Sequence, residues 1–274
     1  MSKYWAYAIA AVVILMGLSV VVTESKLLAY LPANWWMRLL RQLGWILFAA
    51  AGILSWRYYR LTNEAFFKLL AVSFFIITGM ALLNVLSGLI WNRFIVSGKL
   101  AVLQAVQMVI AVLQQAGAFL SAFFLVHAVG NYKGYEQPFK RGFLLALVVY
   151  IVLYGVWQAG TLFVTEHPRI IDYVFMSTVS ILFTVIYLIG IKAALGIIRV
   201  TGSRLLKWLT VAMSLQIFVS LAWIFPWVLF HGDFGAMLAG FYNYTMTLIL
   251  ILIPVLYVTA LVTCGKECYD HAGT

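Results

Sequence analysis

Apolar residues in this chain arrive in long unbroken blocks separated by short polar stretches. The blocks run roughly 18 to 28 residues, the length an α-helix needs to cross a hydrocarbon core about 30 Å thick. Lipid offers the backbone no hydrogen bonds, so a spanning block must be a helix or a strand of a closed barrel. Barrel strands alternate apolar and polar positions, and these blocks do not. The pattern therefore predicts an all-α polytopic transmembrane bundle of about eight helices. The segments are Tyr4–Val22, Trp36–Trp56, Phe66–Trp91, Leu100–Val129, Phe143–Val164, Tyr173–Ile198, Leu205–Phe230 and Ala239–Val262. The first resembles a signal sequence behind Lys3, but it is long for a cleavable core and lacks a small-x-small site, so it reads as a retained helix. The second carries Arg38 and Arg41 in its first turns. Long side chains can snorkel to the headgroups; alternatively Leu27–Arg41 is an interfacial helix anchored by Trp35 and Trp36, which leaves seven spans.

Connecting stretches of roughly 6 to 13 residues, one composition throughout and no low-complexity tract predict a single domain over residues 1–263 and a short cytoplasmic tail at 264–274. Lys and Arg set the orientation. One side receives Lys3, Arg57, Arg60, Lys68, Lys133, Lys140, Arg141, Lys192, Arg199, Arg204, Lys207 and Lys266; the other receives Lys26, Arg38, Arg41, Arg93, Lys99 and Arg169. Twelve against six places both termini in the cytoplasm, in what reads as a bacterial or archaeal cytoplasmic membrane.

Composition agrees: 65% of residues are hydrophobic, 9% are charged and the mean hydropathy is +1.03. Soluble chains carry about 25% charged residues. The net charge of +10 raises the question of nucleic acid. The basic residues are scattered singly or in pairs at block ends rather than gathered on one face, so anionic lipid headgroups are the expected partner and nucleic acid is not.

Between the predicted span ends there is no Asp or Glu, and Lys192 is the deepest basic residue. Intramembrane charge marks proton relays, ion paths and voltage sensors, and its absence argues against those machines. Retinal is disfavoured because no Lys lies mid-span in the last helix. His127 has no same-depth partner other than His271 of the tail, which argues against bis-histidine haem. Cys264, Cys268 and His271 lack a fourth zinc ligand, and no Walker loop or zinc-protease motif occurs.

The fourth segment holds the richest polar pattern. Gln104, Gln107, Gln114 and Ser121 recur at helical spacing with Ala111, Ala118 and Ala122, and Gln115 stands beside them, while Val109 and Leu113 lie off this stripe. Amides in hydrocarbon need partners, so the stripe must face protein or a wet cavity. It acts either as interhelical glue, worth about 1 kcal/mol or less per bond, or as the wall of a site for a lipid, a quinone or a small polar solute. Asn84, Gln158, Gln216 and Asn243, with Ser220 and Thr247, are its candidate partners, which predicts a semi-polar interior shared by segments three, four, five, seven and eight.

A second constellation lies in the predicted extracytoplasmic loops: Glu166 and His167 before Asp172, and His231 with Asp233. Such groups suit a divalent metal or a pH sensor; loop His and Asp also serve as plain caps, and Asp172 is placed to cap the sixth helix. Small-residue pairs at Gly190/Ala194 and Ala236/Gly240 permit close helix contacts, within the chain or between chains. The sequence thus points to a membrane protein that acts by binding, as a sensor, anchor or accessory subunit whose basic loops dock a protein partner or a second copy. A small facilitator for a neutral solute is the alternative.

Overall fold

A computed structural model of the protein describes residues 35–97, 100–132, 148–157, 169–222 and 245–263, with side chains from 43–83, 105–132, 148–157, 174–222 (176 apart) and 245–263. The segment Tyr4–Val22 lies outside the described residues. The described chain forms seven helices: α1 (Trp35–Thr62), α2 (Ala65–Ser97), α3 (Leu100–Gly130), α4 (Val148–Trp157), α5 (Arg169–Thr201), α6 (Arg204–Ala222) and α7 (Thr245–Thr263). Five of them, α2, α3, α5, α6 and α7, contain stretches long and apolar enough to cross a membrane. Large aliphatic side chains lie open on the outside, with Val109 59% and Val156 67% exposed, as a lipid-facing surface requires.

Several helices outrun their apolar blocks. The connections Thr62 to Ala65 and Thr201 to Arg204 are two residues long, not the 6 to 13 expected. Charged and aromatic residues at the membrane edge stay helical because the helix satisfies its own backbone while long side chains reach water. Each turn has a left-handed residue after the helix: Asn63 at φ 56° and Gly202 at φ 67°. The Asn63 amide donates to Tyr59 O at 2.7 Å and the Gly202 amide to Ile198 O at 2.8 Å, closing α1 and α5. Ser203 then caps α6, its Oγ accepting from the Leu206 amide at 3.4 Å. Asp172 does not cap α5 as expected. That helix is already under way at Arg169, so Asp172 sits inside the first turn, where a carboxylate still suits the helix dipole. From Trp35 through Thr62, α1 is continuous; residues 27–34 of the alternative interfacial helix lie outside the described residues.

One end of the bundle is tied by aromatic and hydroxyl contacts. Phe66, just after the α1–α2 turn, meets the Tyr132 ring edge-on at 5.0 Å. The Tyr132 hydroxyl hydrogen-bonds Ser203 Oγ at 3.0 Å. The two tight turns and the end of α3 therefore share one face, around which Arg57, Arg60, Lys68, Arg199, Arg204 and Lys207 are exposed. We call this the basic end. Toward the middle, α2 packs on α1 and α3, α3 on α5, and α5 on α6. Tyr257 of α7 wedges against Phe74 at 4.9 Å and Phe48 at 6.1 Å. The short α4 leans on α3 and α5 through Tyr150 stacked on Phe119 at 5.0 Å and Trp157 stacked on Phe175 at 4.6 Å.

Gly190 explains the closest approach. A Cβ there would stand 2.8 Å from Val126 Cγ2 of α3 and 3.0 Å from Met213 Sδ of α6. Three helices converge where only hydrogen fits, and Ala194, one turn on, is fully buried. The Gly190/Ala194 pair thus serves contacts within the chain; Ala236/Gly240 lies outside the described residues.

Candidate functional site

Beyond that convergence the helices line a partly open cavity of about 330 Å³. Trp45 and Phe48 of α1, Ile77 and Met80 of α2, Gln115, Ala118 and Ser121 of α3, Ser180, Phe183 and Tyr187 of α5, Gln216 and Ser220 of α6 and Ile253 of α7 line it. Among the described residues, no Asp, Glu, Lys, Arg or His lines it. At 1.5 Å of rise per residue, Ile77, Gln115, Tyr187 and Gln216 lie roughly 18 to 23 Å from the basic ends of their helices. A bilayer is about 40–45 Å thick with its headgroups, and this distance is about half of that.

A packed layer separates the cavity from the basic end. On each of the six lining helices, a buried residue stands three to five positions nearer that end than a lining residue: Ala51, Phe74, Val126, Gly190, Met213 and Tyr257. The layer includes the Gly190 contact and the Tyr257 wedge.

The amide stripe of the fourth segment divides. Gln115, flanking the stripe, reaches the cavity, as do Ala118 and Ser121; Gln107 and Gln114 are half-buried and are not among the lining residues. Val109 and Leu113 lie on the exposed edge of α3. Ser121 is both glue and wall: Ser73 Oγ of α2 donates to its carbonyl at 2.8 Å and meets its Oγ at 3.1 Å. Gln115 Oε1 accepts from the Tyr150 hydroxyl of α4 at 2.8 Å. That bond orients the amide, and Tyr154, one turn along α4, is its second neighbour.

Among the expected partners, Gln216 and Ser220 stand on the cavity wall. Ser220 spends its proton on its own helix, donating to Gln216 O at 2.9 Å, so it offers the cavity only acceptor capacity. Thr247 is buried without a hydrogen-bond partner and is not a lining residue. The side chains of Gln104, Asn84, Gln158 and Asn243 lie outside the described residues, as do Glu166, His167, His231 and Asp233 of the loop constellation. Among the described residues no three His, Cys, Asp or Glu gather to hold a metal ion. The His127 ring stacks on Phe123 at 5.5 Å, and Asn131 Nδ2 donates to the His127 carbonyl at 2.7 Å.

The expected set of helices around the interior changes. Segments two and six contribute walls through Trp45, Ser180 and Tyr187, while segment five acts from behind through Tyr150. Tyr150 and Tyr154, one helical turn apart in an otherwise aliphatic run, were the signal in the sequence for that role.

No protein-family model, no curated protein and no solved structure matches the chain.

Proposed function

We propose that this is a multi-pass membrane protein of eight helices, with both termini on the cytoplasmic side of a bacterial or archaeal membrane, that acts by holding a small neutral molecule in the midplane cavity. The observation that carries the proposal is the lining, uncharged among the described residues and mostly apolar: two amides and three serine hydroxyls set among Trp45, Phe48, Phe183 and Tyr187. A phosphate or ammonium group would find no counter-charge there, and an unpaired charge at that depth is expensive. A volume of about 330 Å³ is at the small end of ligand pockets, which run about 300–1,000 Å³. Lipid-soluble molecules with a compact polar head, a quinone or a neutral lipid, meet both conditions.

On this reading the protein is a membrane-embedded sensor, anchor or accessory subunit. Its exposed basic end contacts anionic headgroups and docks a protein partner or a second copy. A facilitator for a neutral solute is the competing reading, and it requires the packed layer at Gly190 to part. The test is purification in mild detergent, followed by solvent extraction and mass spectrometry of what the protein carries, for the native chain and for Gln216→Leu. A stoichiometric neutral molecule that falls at least fivefold in the variant supports the proposal. An empty native protein whose unfolding temperature responds to neither added quinone nor diacylglycerol refutes it.

A further inference from the structure

The polar groups around the cavity differ in what they have left to give. On α3 they are engaged within the protein. Gln115 Oε1 accepts from the Tyr150 hydroxyl at 2.8 Å, and Tyr154 is the second neighbour of the same amide. Ser121 Oγ meets Ser73 Oγ of α2 at 3.1 Å. On α5 the opposite holds. Ser180 and Tyr187 line the cavity at 4% and 7% exposure, and neither hydroxyl makes a hydrogen bond among the described residues. Buried hydroxyls ordinarily have a partner, and one left without is costly.

Next to them, α6 supplies a complementary group. Ser220 donates its proton to Gln216 O at 2.9 Å, so its oxygen can only accept from the cavity. The register of these two antiparallel helices follows from the contact of Gly190 with Met213. Counting outward from it sets Tyr187 level with Gln216 and Phe183 level with Ser220. Along the axis Ser220 thus falls between Tyr187 and Ser180, about 6 Å from the first and about 4.5 Å from the second. Long helical side chains lean toward the N-terminus of their own helix, which carries the Tyr187 hydroxyl toward the level of Ser220. The buried Tyr257 hydroxyl of α7 is also without a partner, and Gln216 and Tyr187 are its polar neighbours. Unspent hydroxyls therefore gather where α5, α6 and α7 meet.

The other lining residues are of a different kind. Trp45 and Phe48 of α1, Ile77 and Met80 of α2, and Leu250 and Ile253 of α7 are aromatic or aliphatic. Helix α3 packs on both α2 and α5 and so stands between the two walls. A molecule that suits this division has one polar end and an apolar body. Its polar end must accept from Tyr187 or Ser180 and donate to Ser220, which a hydroxyl does and a carbonyl cannot.

Resting on the binding function above, we propose that the ligand is a lipid-soluble alcohol. Its hydroxyl donates to Ser220 and accepts from Tyr187 or Ser180, and its hydrocarbon lies against α1, α2 and α7. A quinone only accepts hydrogen bonds and would leave the Ser220 oxygen unanswered.

The test compares n-decanol with decyl methyl ether, which only accepts, and with undecane, which does neither. Equilibrium binding to the full-length protein in detergent is measured against protein-free micelles. Decanol should bind about tenfold more tightly than undecane, and the ether about threefold. Ser220→Ala should weaken decanol about threefold and leave the ether and undecane unmoved. Tyr187→Phe combined with Ser180→Ala should weaken decanol and the ether alike and leave undecane unmoved. An ether bound as tightly as decanol overturns the inference, as does a Ser220→Ala protein that binds decanol like the native one. Gly117→Ala, which crowds the cavity through Met80, separates the levels. If the three probes bind alike and Gly117→Ala weakens each, the binding cavity stands and the alcohol assignment falls. If no probe binds, or Gly117→Ala moves none of them, both fall.

Discussion

Replacing Gly117 with alanine asks whether helix packing sets the cavity's shape. A Cβ at Gly117 stands 2.8 Å from both Cγ and Sδ of Met80 and 3.5 Å from Cγ2 of Ile76. Carbon atoms in contact sit about 3.5–4.0 Å apart, so Met80 has to give way by about 1 Å. Met80 lines the cavity, and its flexible thioether has empty space on that side to move into. Leaving its preferred rotamer costs about 0.5–1.5 kcal/mol, against which alanine in place of a helical glycine returns up to about 1 kcal/mol. The two nearly cancel, so the fold survives with Tm within about 4 °C of the native value, while the ligand meets a thioether in its space. A penalty of about 1 kcal/mol passed to the ligand lowers affinity roughly fivefold. Gly79 is the control, because a Cβ there meets nothing within 4 Å; Gly79→Ala should keep its ligand and hold or raise Tm. The assay is bound small molecule per mole of protein by mass spectrometry, with thermal unfolding in the same detergent. If Gly117→Ala and Gly79→Ala carried equal loads, the link from Gly117 through Met80 to the cavity would be refuted.

Gly190→Leu drives a side chain into Val126 and Met213 at once, so overpacking should cost about 1–3 kcal/mol; a drop in Tm is expected there and none in Gly196→Ala, whose Cβ meets nothing within 4 Å. Sidedness is checked by single cysteines on a background in which Cys264 and Cys268 are replaced by serine. Lys207→Cys, exposed at the basic end, should stay unlabelled by an impermeant maleimide in intact cells and react once they are lysed, and labelling in intact cells would invert the topology.

How much of this was legible in the sequence depends on what each kind of residue can hide. Helix existence was legible because long apolar blocks admit almost no other backbone solution in lipid. Helix ends were not, since the blocks end at the hydrocarbon edge whereas α1 and α5 continue to Asn63 and Gly202, where a left-handed residue stops them. On α3 the lipid-facing edge was readable from Val109 and Leu113. Which inward amide meets the void was not, because Gln114 and Gln115 differ only by 100° of helix rotation and the neighbouring helices decide. Serine and threonine misled for a different reason. Thr78, Thr184, Thr210 and Ser220 each bond a carbonyl of their own helix at 2.7–2.9 Å, so a hydroxyl in a span says little about its neighbours. Ser73 with Ser121 is a pair that does cross between helices. Amides that serve as partners for other helices carry the stronger signal, as Gln115 does for Tyr150.

The direction of access follows from the packed layer. A path from the cavity to the basic end would have to pass Val126, Gly190 and Met213, where helices α3, α5 and α6 approach so closely that even a methyl group has no room. Packed interiors resist gradual deformation and switch between discrete arrangements, so opening this layer would take the concerted separation of three helices together with loss of the Tyr257 wedge between Phe48 and Phe74. On the far side of this layer the tight turns and the end of α3 are joined by the Phe66–Tyr132–Ser203 tie.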